Sequence, residues 1–568
     1  MNKPVSRFKH YPNRPTKLTS GFAKKEYGKL LRNLKAAELS ADPTLWIELY
    51  GRWNELKSYV GSEASRISYR YSQNMGLKKS EDDEQYVREI LAPAVEEPEH
   101  ILTKAFLDSK HLQAVADKFG RRLISIYEAD LKPSDPVNTK QRIAAGKLAK
   151  KYEKTVASAQ ITVQGEKMTL WKSRSYYESP DESIRKEAFL ANRGWFLDHH
   201  DELSSIYDQL VQLRHKMAQN VGHENFIPYA YEALGRTDYG PSQVRNFREN
   251  VKKYVVPLNR QLVSQISQSL GKTILKPWDG YDPRTSLPLE ITPVKSQLNK
   301  SQILFNKLSP KLGKYFEIMR ENGLIDLENR PGKRSGAFCT DFSDEQKVLI
   351  FCNSTGESDD ISTLTHEMGH AFQGWESQHI EAVDLQWGTL DLCEIHSTGM
   401  EFLCLPFISE FLNEENTQKF QLSRWEQAIS TLCYVSVVDE FQHWVYEKPQ
   451  STIAERDEKW CSISQEYFPQ ADYSGYEQYR KTRWYGQSHI FVSPFYYIDY
   501  ALAETCAIQL ALMASIDHQA ALRTYMKLCR IGGTKGFLEA VKYGGLRSPF
   551  EPELMKDLMK FATKQASL

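Results

Sequence analysis

A chain of 568 residues and 65.6 kDa with 41% hydrophobic and 12% aromatic residues is far too large and too apolar for a small disulfide scaffold or a disordered polymer. Its 73 basic and 73 acidic side chains leave no net charge, which excludes the broad basic field of a general nucleic-acid binder. Mean hydropathy is −0.55, and no stretch is long, apolar and uncharged enough to span a bilayer. The nearest candidate, residues 491–516, carries Asp499 and Glu504 and reads as buried helix.

Residues 1–35 hold ten Lys or Arg, one acid and three prolines but no apolar run, so they read as a solvated basic lead-in rather than a secretory signal. From residue 27 to about 160 the pattern is helical. Trp46, Ile47, Tyr50, Trp53 and Leu56 form one stripe, and Val87, Ile90 and Leu91 begin another. Ser80-Glu-Asp-Asp and Pro133-Ser-Asp-Pro are read as breaks between helices. The period then changes to two: Ile161-Thr-Val-Gln and Lys167-Met-Thr-Leu flank Gly165-Glu166 as a β-hairpin. Ser179-Pro-Asp-Glu182 has the form of a capping box and opens the next helix. A division follows near residue 175, into an N-terminal helical region (1–175) and a second domain (176–568).

Prolines 277, 283, 288 and 293 mark residues 276–294 as an internal linker. Residues 334–340 and 347–352 read as two strands joined by a polar turn, and most of the remainder as helix. The glycines 532, 533, 536, 544 and 545 near the end read as simple turns rather than as a loop free to move over a ligand. All eight cysteines lie at or beyond 339 with no CxxC pair; they are read as reduced thiols of a cytoplasmic protein.

The residues that carry chemistry are His366-Glu367-Met-Gly-His370. Histidines four apart lie one turn apart on a helix, where two imidazoles reach one tetrahedral Zn²⁺. Glu367 is placed to take a proton from a water that the metal activates. Asp360 is read either as the helix N-cap or as an acceptor for a ligand's free N–H. The next histidine, His379, is nine beyond His370, not six, so the third ligand is sought among carboxylates. Glu394, 24 residues after His370, has room to return on an antiparallel helix. Glu401, seven further on, shares its face and is suited to orient an imidazole; His396, about 200° round from Glu394, is structural.

With His366-Glu-Met-Gly-His370, Glu394 in its EIHS-x-x-ME stretch, Lys276-Pro-Trp-Asp, the aromatic block near 489–500 and the closing Ser548-Pro-Phe, the chain resembles the thimet oligopeptidase and oligoendopeptidase F family of zinc metallopeptidases, in particular its bacterial oligoendopeptidase and Pz-peptidase branch. The resemblance implies a mainly α, two-lobed body with a deep substrate channel and a small β-sheet beside the zinc helix. It implies one Zn²⁺ per chain and cleavage of internal bonds of short peptides, with neither nucleic acid nor membrane as partner. It further implies that a histidine and tyrosines stabilise the oxyanion: His489, Tyr497 and Tyr500. The block is about one residue shorter between histidine and tyrosines than in thimet oligopeptidase, which leaves Tyr496 open as well; counting back from Glu504 favours Tyr500. Residues 335–340 are read equally as an ordinary hairpin strand and as a rail for extended substrate. The competing functions are a zinc exopeptidase in a carboxypeptidase mode and a peptide-binding protein with a structural metal. No GxMEN-type amine-binding element precedes His366, and a structural site has no need of Glu367.

Overall fold

The computed structural model describes residues 9–12, 15, 17–288 and 291–568. It is mainly helical, with one two-stranded and one three-stranded sheet. Part of the basic lead-in, residues 1–8, 13, 14 and 16, lies outside the described residues; residues 20–35 of it are already in the first helix, Ser20–Leu39.

The N-terminal helices bury the expected stripe. Trp46, Tyr50, Trp53 and Leu56 of helix Thr44–Gln73 are inaccessible to solvent, in an apolar cluster with Leu102, Phe106, Leu123 and Tyr127. Two details differ. Ser80-Glu-Asp-Asp does not break a helix but lies in the first turns of Lys78–Tyr86, where Glu81 complements the helix dipole; the break falls at residues 74–77, which include Gly76. A π turn, Val87–Leu91, then shifts the register, so Leu91 is buried and Ile90 is exposed.

The hairpin is present as β1 (Ile161–Val163) and β2 (Glu166–Met168), paired antiparallel with Val163 opposite Glu166. Its turn is Gln164-Gly165, one residue earlier than expected, because both residues take positive φ (52° and 77°) and Glu166 stays in the ladder. The cap of the next helix, Glu182–Asp198, is Asp181 rather than Ser179: its carboxylate accepts the Ser183 N–H at 2.8 Å, and Pro180 precedes the helix. Residues 276–288 and 291–293 have little regular structure, yet they are not a loose linker. Trp278 is buried against Phe189 and Tyr473, and Asp279 pairs with Arg185 (3.2 Å) and Lys272 (2.7 Å).

The second sheet runs β3 (Ile325–Glu328), β5 (Lys347–Ser354), β4 (Phe338–Phe342), with β3 parallel and β4 antiparallel to the central strand. The sequence reading missed β3 and began β4 four residues too early; Gly336, at φ 91°, turns the chain where that strand was expected to run. β4 is an edge.

Helix Asp359–Glu376, the histidine helix, follows β5 and packs on it. Leu390–Cys404, the carboxylate helix, lies against both the histidine helix and Ile498–Ile516, the tyrosine helix. The last is the apolar stretch weighed above as a membrane span; Asp499 and Glu504 within it pair with Arg236 and Arg424. Among the described residues no helix is long and apolar enough to cross a membrane. All eight cysteines are unpaired thiols. Of the closing glycines, Gly545 ends a helix at φ 79° as a simple turn, whereas Gly533 packs tightly, its N–H donating to Leu385 O at 2.8 Å.

The contact on which the site depends is at Gly369. A methyl there would lie 2.3 Å from the His396 carbonyl oxygen and 2.6 Å from Ser397 Cα, so only glycine lets the two helices meet. Tyr525 spans the crossing, its hydroxyl reaching Gly369 O (3.2 Å) and His396 O (3.0 Å). Gly369→Ala is expected to cost about 1–3 kcal/mol in urea unfolding through overpacking. Gly61→Ala, on an exposed helix face with nothing within 4 Å, should gain about 0.5–1 kcal/mol. Equal stability of the two variants would contradict this reading of the crossing.

Candidate metal centre

The histidine helix forms where Ile361, Leu364, Met368, Ala371 and Phe372 recur at helical spacing and bury one side. Its first turn carries Asp359 and Asp360, favourable at a helix N-terminus. Asp360 fills neither role weighed for it. Ser358 is the N-cap, and the Asp360 carboxylate turns back to accept the N–H groups of Thr355 (3.0 Å) and Gly356 (2.7 Å) and the Gln297 amide (2.8 Å). It ties down the chain entering the helix.

His366 and His370 project from the half-exposed side, ring centroids 5.1 Å apart. Across the Gly369 crossing the carboxylate helix brings Glu394, with Oε2 3.3 Å from His366 Nε2 and 3.7 Å from His370 Nε2. One donor atom from each of the three residues lies within 4.8 Å of the others, a set able to hold one metal ion. Glu394 is further placed by the Ser397 hydroxyl, which donates to Oε2 at 2.8 Å, and by the Tyr496 hydroxyl, which donates to Oε1.

The electrostatics suit a cation. Burial drives His370 down to about 4, so its ring is neutral with a lone pair to offer. Burial also opposes charge on His366, but Glu394 and Glu401 outweigh it and hold that imidazole well above its ordinary value. Burial pushes Glu394 up; the hydrogen bond with His366 and, in the acid range where His370 is protonated, the His370 charge prevail and bring it to about 2. Two buried carboxylates thus draw positive charge to the point between the imidazoles.

Glu401 stands where its spacing placed it. Its Oε1 is 2.7 Å from His366 Nδ1, so Nδ1 is the donor and Nε2 is left to face Glu394 and His370. The other Glu401 oxygen accepts Arg424 Nε at 2.8 Å, and Arg424 grips Glu504 through both terminal nitrogens at 3.0 and 3.1 Å. The sequence reading missed Arg424, which sits in the 34-residue helix Glu414–Glu447 with no motif around it. His396 is fully buried against Tyr525, and burial lowers it to about 3.

Glu367 is buried beside the trio, and its Oε2 has no hydrogen-bond partner among the described residues. Burial pushes its carboxyl up to about 7, with the His366 charge opposing and Glu394 and Glu401 adding. An unpartnered buried carboxyl balanced near neutrality is suited to accept and return a proton. β4 passes close by: burial and then the Glu367 charge raise the thiol of its Cys339 well above the ordinary value.

The aromatic block closes the other side. Gln487 donates to His489 Nδ1 at 2.8 Å, which leaves the hydrogen on Nε2, and burial lowers the ring to about 4. Its centroid is 5.9 Å from that of Tyr496, 4.7 Å from Tyr497 and 5.8 Å from Tyr500. The rings of Tyr497 and Tyr500, three residues apart, meet edge-on with centroids 5.4 Å apart. Phe495 turns the chain at φ 65° and the helix begins at Ile498, so Tyr497 lies outside it and packs edge-on against Tyr434, 6.1 Å away. The hydroxyl beside that of Tyr500, at 3.4 Å, belongs to Tyr496.

The fold and the site together define a mainly helical protein with two histidines and a glutamate gathered around one point and a buried carboxyl beside them. The chain belongs to peptidase family M3: the profile of that family matches residues 175–560, and that of the peptidase M3 N-terminal domain matches residues 16–133. Among solved structures, Pz peptidase A with a bound inhibitor is 34% identical with a TM-score of 0.93, each chain covered to 98%. A candidate oligoendopeptidase F from Bacillus anthracis strain Ames is 30% identical with a TM-score of 0.88, each chain covered to 99%. An oligoendopeptidase F homolog of Borreliella burgdorferi is 24% identical over 388 residues, 65% of this chain and 63% of that protein. The chain thus spans less than two thirds of the length of the curated relatives it matches.

Proposed function

We propose that this protein is a zinc-dependent endopeptidase that hydrolyses internal bonds of short peptides in the cytoplasm, with residues 176–568 as its catalytic domain and 1–175 as an N-terminal helical domain. The observation that carries the reading is the convergence of His366, His370 and Glu394 within 4.8 Å beside the unpartnered carboxyl of Glu367. Family membership and the likeness to Pz peptidase A support peptides as substrates. The unpaired thiols agree with a reducing compartment.

His370 offers a neutral imidazole, His366 an Nε2 that a metal takes on displacing its proton, and Glu394 an ionised oxygen, three protein ligands of the kind a catalytic zinc takes. Zinc bound there supplies Lewis-acid polarisation of a carbonyl and lowers the pKa of water. Glu367 is the proton acceptor: burial keeps its basicity near neutrality, and it later returns the proton to the leaving amine. The Tyr500 hydroxyl and the His489 Nε2–H are the donors for charge developing on the carbonyl oxygen, and Tyr496 holds Glu394. The free edge of β4 takes the peptide as an added strand and reads its backbone.

Peptides blocked at both ends, tried across a length series, should be cut internally, and a chelator should abolish the cutting. Glu367→Gln should keep its zinc by elemental analysis while turnover falls by about 10²–10⁴. Cleavage that requires a free terminus would replace the reading with an exopeptidase, and full turnover by the zinc-loaded variant would remove Glu367 from the mechanism.

The tyrosines separate by kinetics. Tyr500→Phe is expected to lower kcat by about 10²–10³ with a smaller change in KM, whereas Tyr497→Phe should stay near wild type. The reverse ranking would move the oxyanion donor to Tyr497.

A further inference from the structure

The chain between the histidine and carboxylate helices, residues 377–389, leads into the helix that carries Glu394, and it is held from outside the catalytic helices. Its apolar side chains Ile380, Ala382 and Leu385 are buried in the cluster of the N-terminal helices, whereas the two helices it joins belong to the main core. Gly120, at φ 130°, lets Leu385 approach so closely that a methyl on it would lie 2.3 Å from Leu385 Cδ1.

Polar contacts add direction. The amide of Asn54 pairs with the connection as a neighbouring strand would: Nδ2 donates to Glu381 O at 2.9 Å, and Oδ1 accepts the Val383 N–H at 2.8 Å. One turn along the same helix, Lys57 forms an ion pair with Asp384. Tyr127 donates to the same Asp384 oxygen at 2.5 Å and accepts from Lys57 Nζ at 2.6 Å. The ammonium also stands 4.3 Å from the centre of the Trp53 ring, a cation–π contact at a partly buried position. On the far side the connection meets the catalytic part: Gln373 Nε2 donates to Gln386 O at 2.8 Å, and Trp387 Nε1 to Asp341 of β4 at 3.0 Å.

From this arrangement we propose that Asn54 and Lys57 are positioning residues for the metal site, acting through the 377–389 connection to set the carboxylate helix, and with it Glu394, against His366 and His370. The inference rests on the metal-site reading given above. Neither residue is among the metal-binding trio; each works by holding the backbone that leads into the carboxylate helix. A partly buried, multiply hydrogen-bonded network of this kind restricts the backbone it holds, and a misplacement on the order of 1 Å at a reacting group is enough to cost about 10²-fold in rate. The N-terminal domain is then part of the device that completes the site and not only a wall beside it.

The test measures zinc affinity, by competition with a chromophoric chelator, and kcat and KM, on the full-length chain. The variants are Asn54→Ala, Lys57→Met and the milder Asp384→Asn, with Lys57→Arg as the conservative control and urea unfolding run in parallel. The expected result is zinc binding weakened about 10-fold or more in Asn54→Ala and Lys57→Met. With it should come a fall in kcat at nearly constant KM, and recovery toward wild type in Lys57→Arg. Should either strong variant fail to fold, Asp384→Asn carries the same expectation in smaller measure. Variants that lose stability but keep wild-type zinc affinity and kcat would overturn the proposal and leave these contacts merely structural. If the wild-type chain itself takes up no zinc, the metal-site reading falls first, an outcome that the chelator titration separates from the other.

Discussion

The close approach of two helices at Gly369 is the constraint from which the site follows. Histidines one turn apart are easily arranged on any exposed helix face. Bringing a carboxylate to within 3.3 Å of one of them, from a second helix, requires the two backbones to touch. Glycine permits that contact, Tyr525 bonds both backbones across it, and the connection leading into the second helix is anchored in the N-terminal cluster through Ile380, Ala382 and Leu385. The rest of the molecule reads as support for this crossing: β5 beneath the histidine helix, the tyrosine helix behind the carboxylate helix, and the N-terminal helices around the connection.

The same packing creates an electrostatic problem. Glu367, Glu394, Glu401 and Glu504 are brought together in a dry interior, where isolated carboxylates are costly. Arg424 answers for two of them, with a two-pronged grip on Glu504 and one bond to Glu401. Glu401 in turn orients His366, and Glu394 faces the other nitrogen of the same ring. Glu367 is left as the carboxyl with an unpartnered oxygen, and its raised pKa is the physical mark of that position. A divalent cation held at the trio would offset the charge that the fold concentrates there.

How much of this is legible in the residues depends on distance along the chain. His366, Glu367 and His370 are readable because helical spacing alone puts them on one face. Glu394 and Glu401 are readable because a short connection and a seven-residue interval leave few alternatives. The helical stripe at Trp46–Leu56 and the hairpin were legible for the same local reason. Tyr497 and Tyr500 were both implied by the resemblance; that the Tyr500 hydroxyl lies beside that of Tyr496 was not legible, because Tyr496 follows the turn at Phe495 and precedes the helix, where helical spacing gives no guide. The short strand β3 has no alternation to betray it. Arg424 and Asn54 left no local trace at all: their partners lie 23 and more than 300 residues away, and only the folded chain brings them together.

The central claim is that His366, His370 and Glu394 hold one zinc ion. The most direct measurement is X-ray absorption at the zinc edge of the zinc-loaded protein. The account predicts a first shell of nitrogen and oxygen at about 2.0–2.2 Å, with the outer-shell scattering of two imidazoles and one metal per chain. A shell containing sulfur at about 2.3 Å, from the cysteines near the site, would contradict it, as would scattering from fewer than two imidazoles.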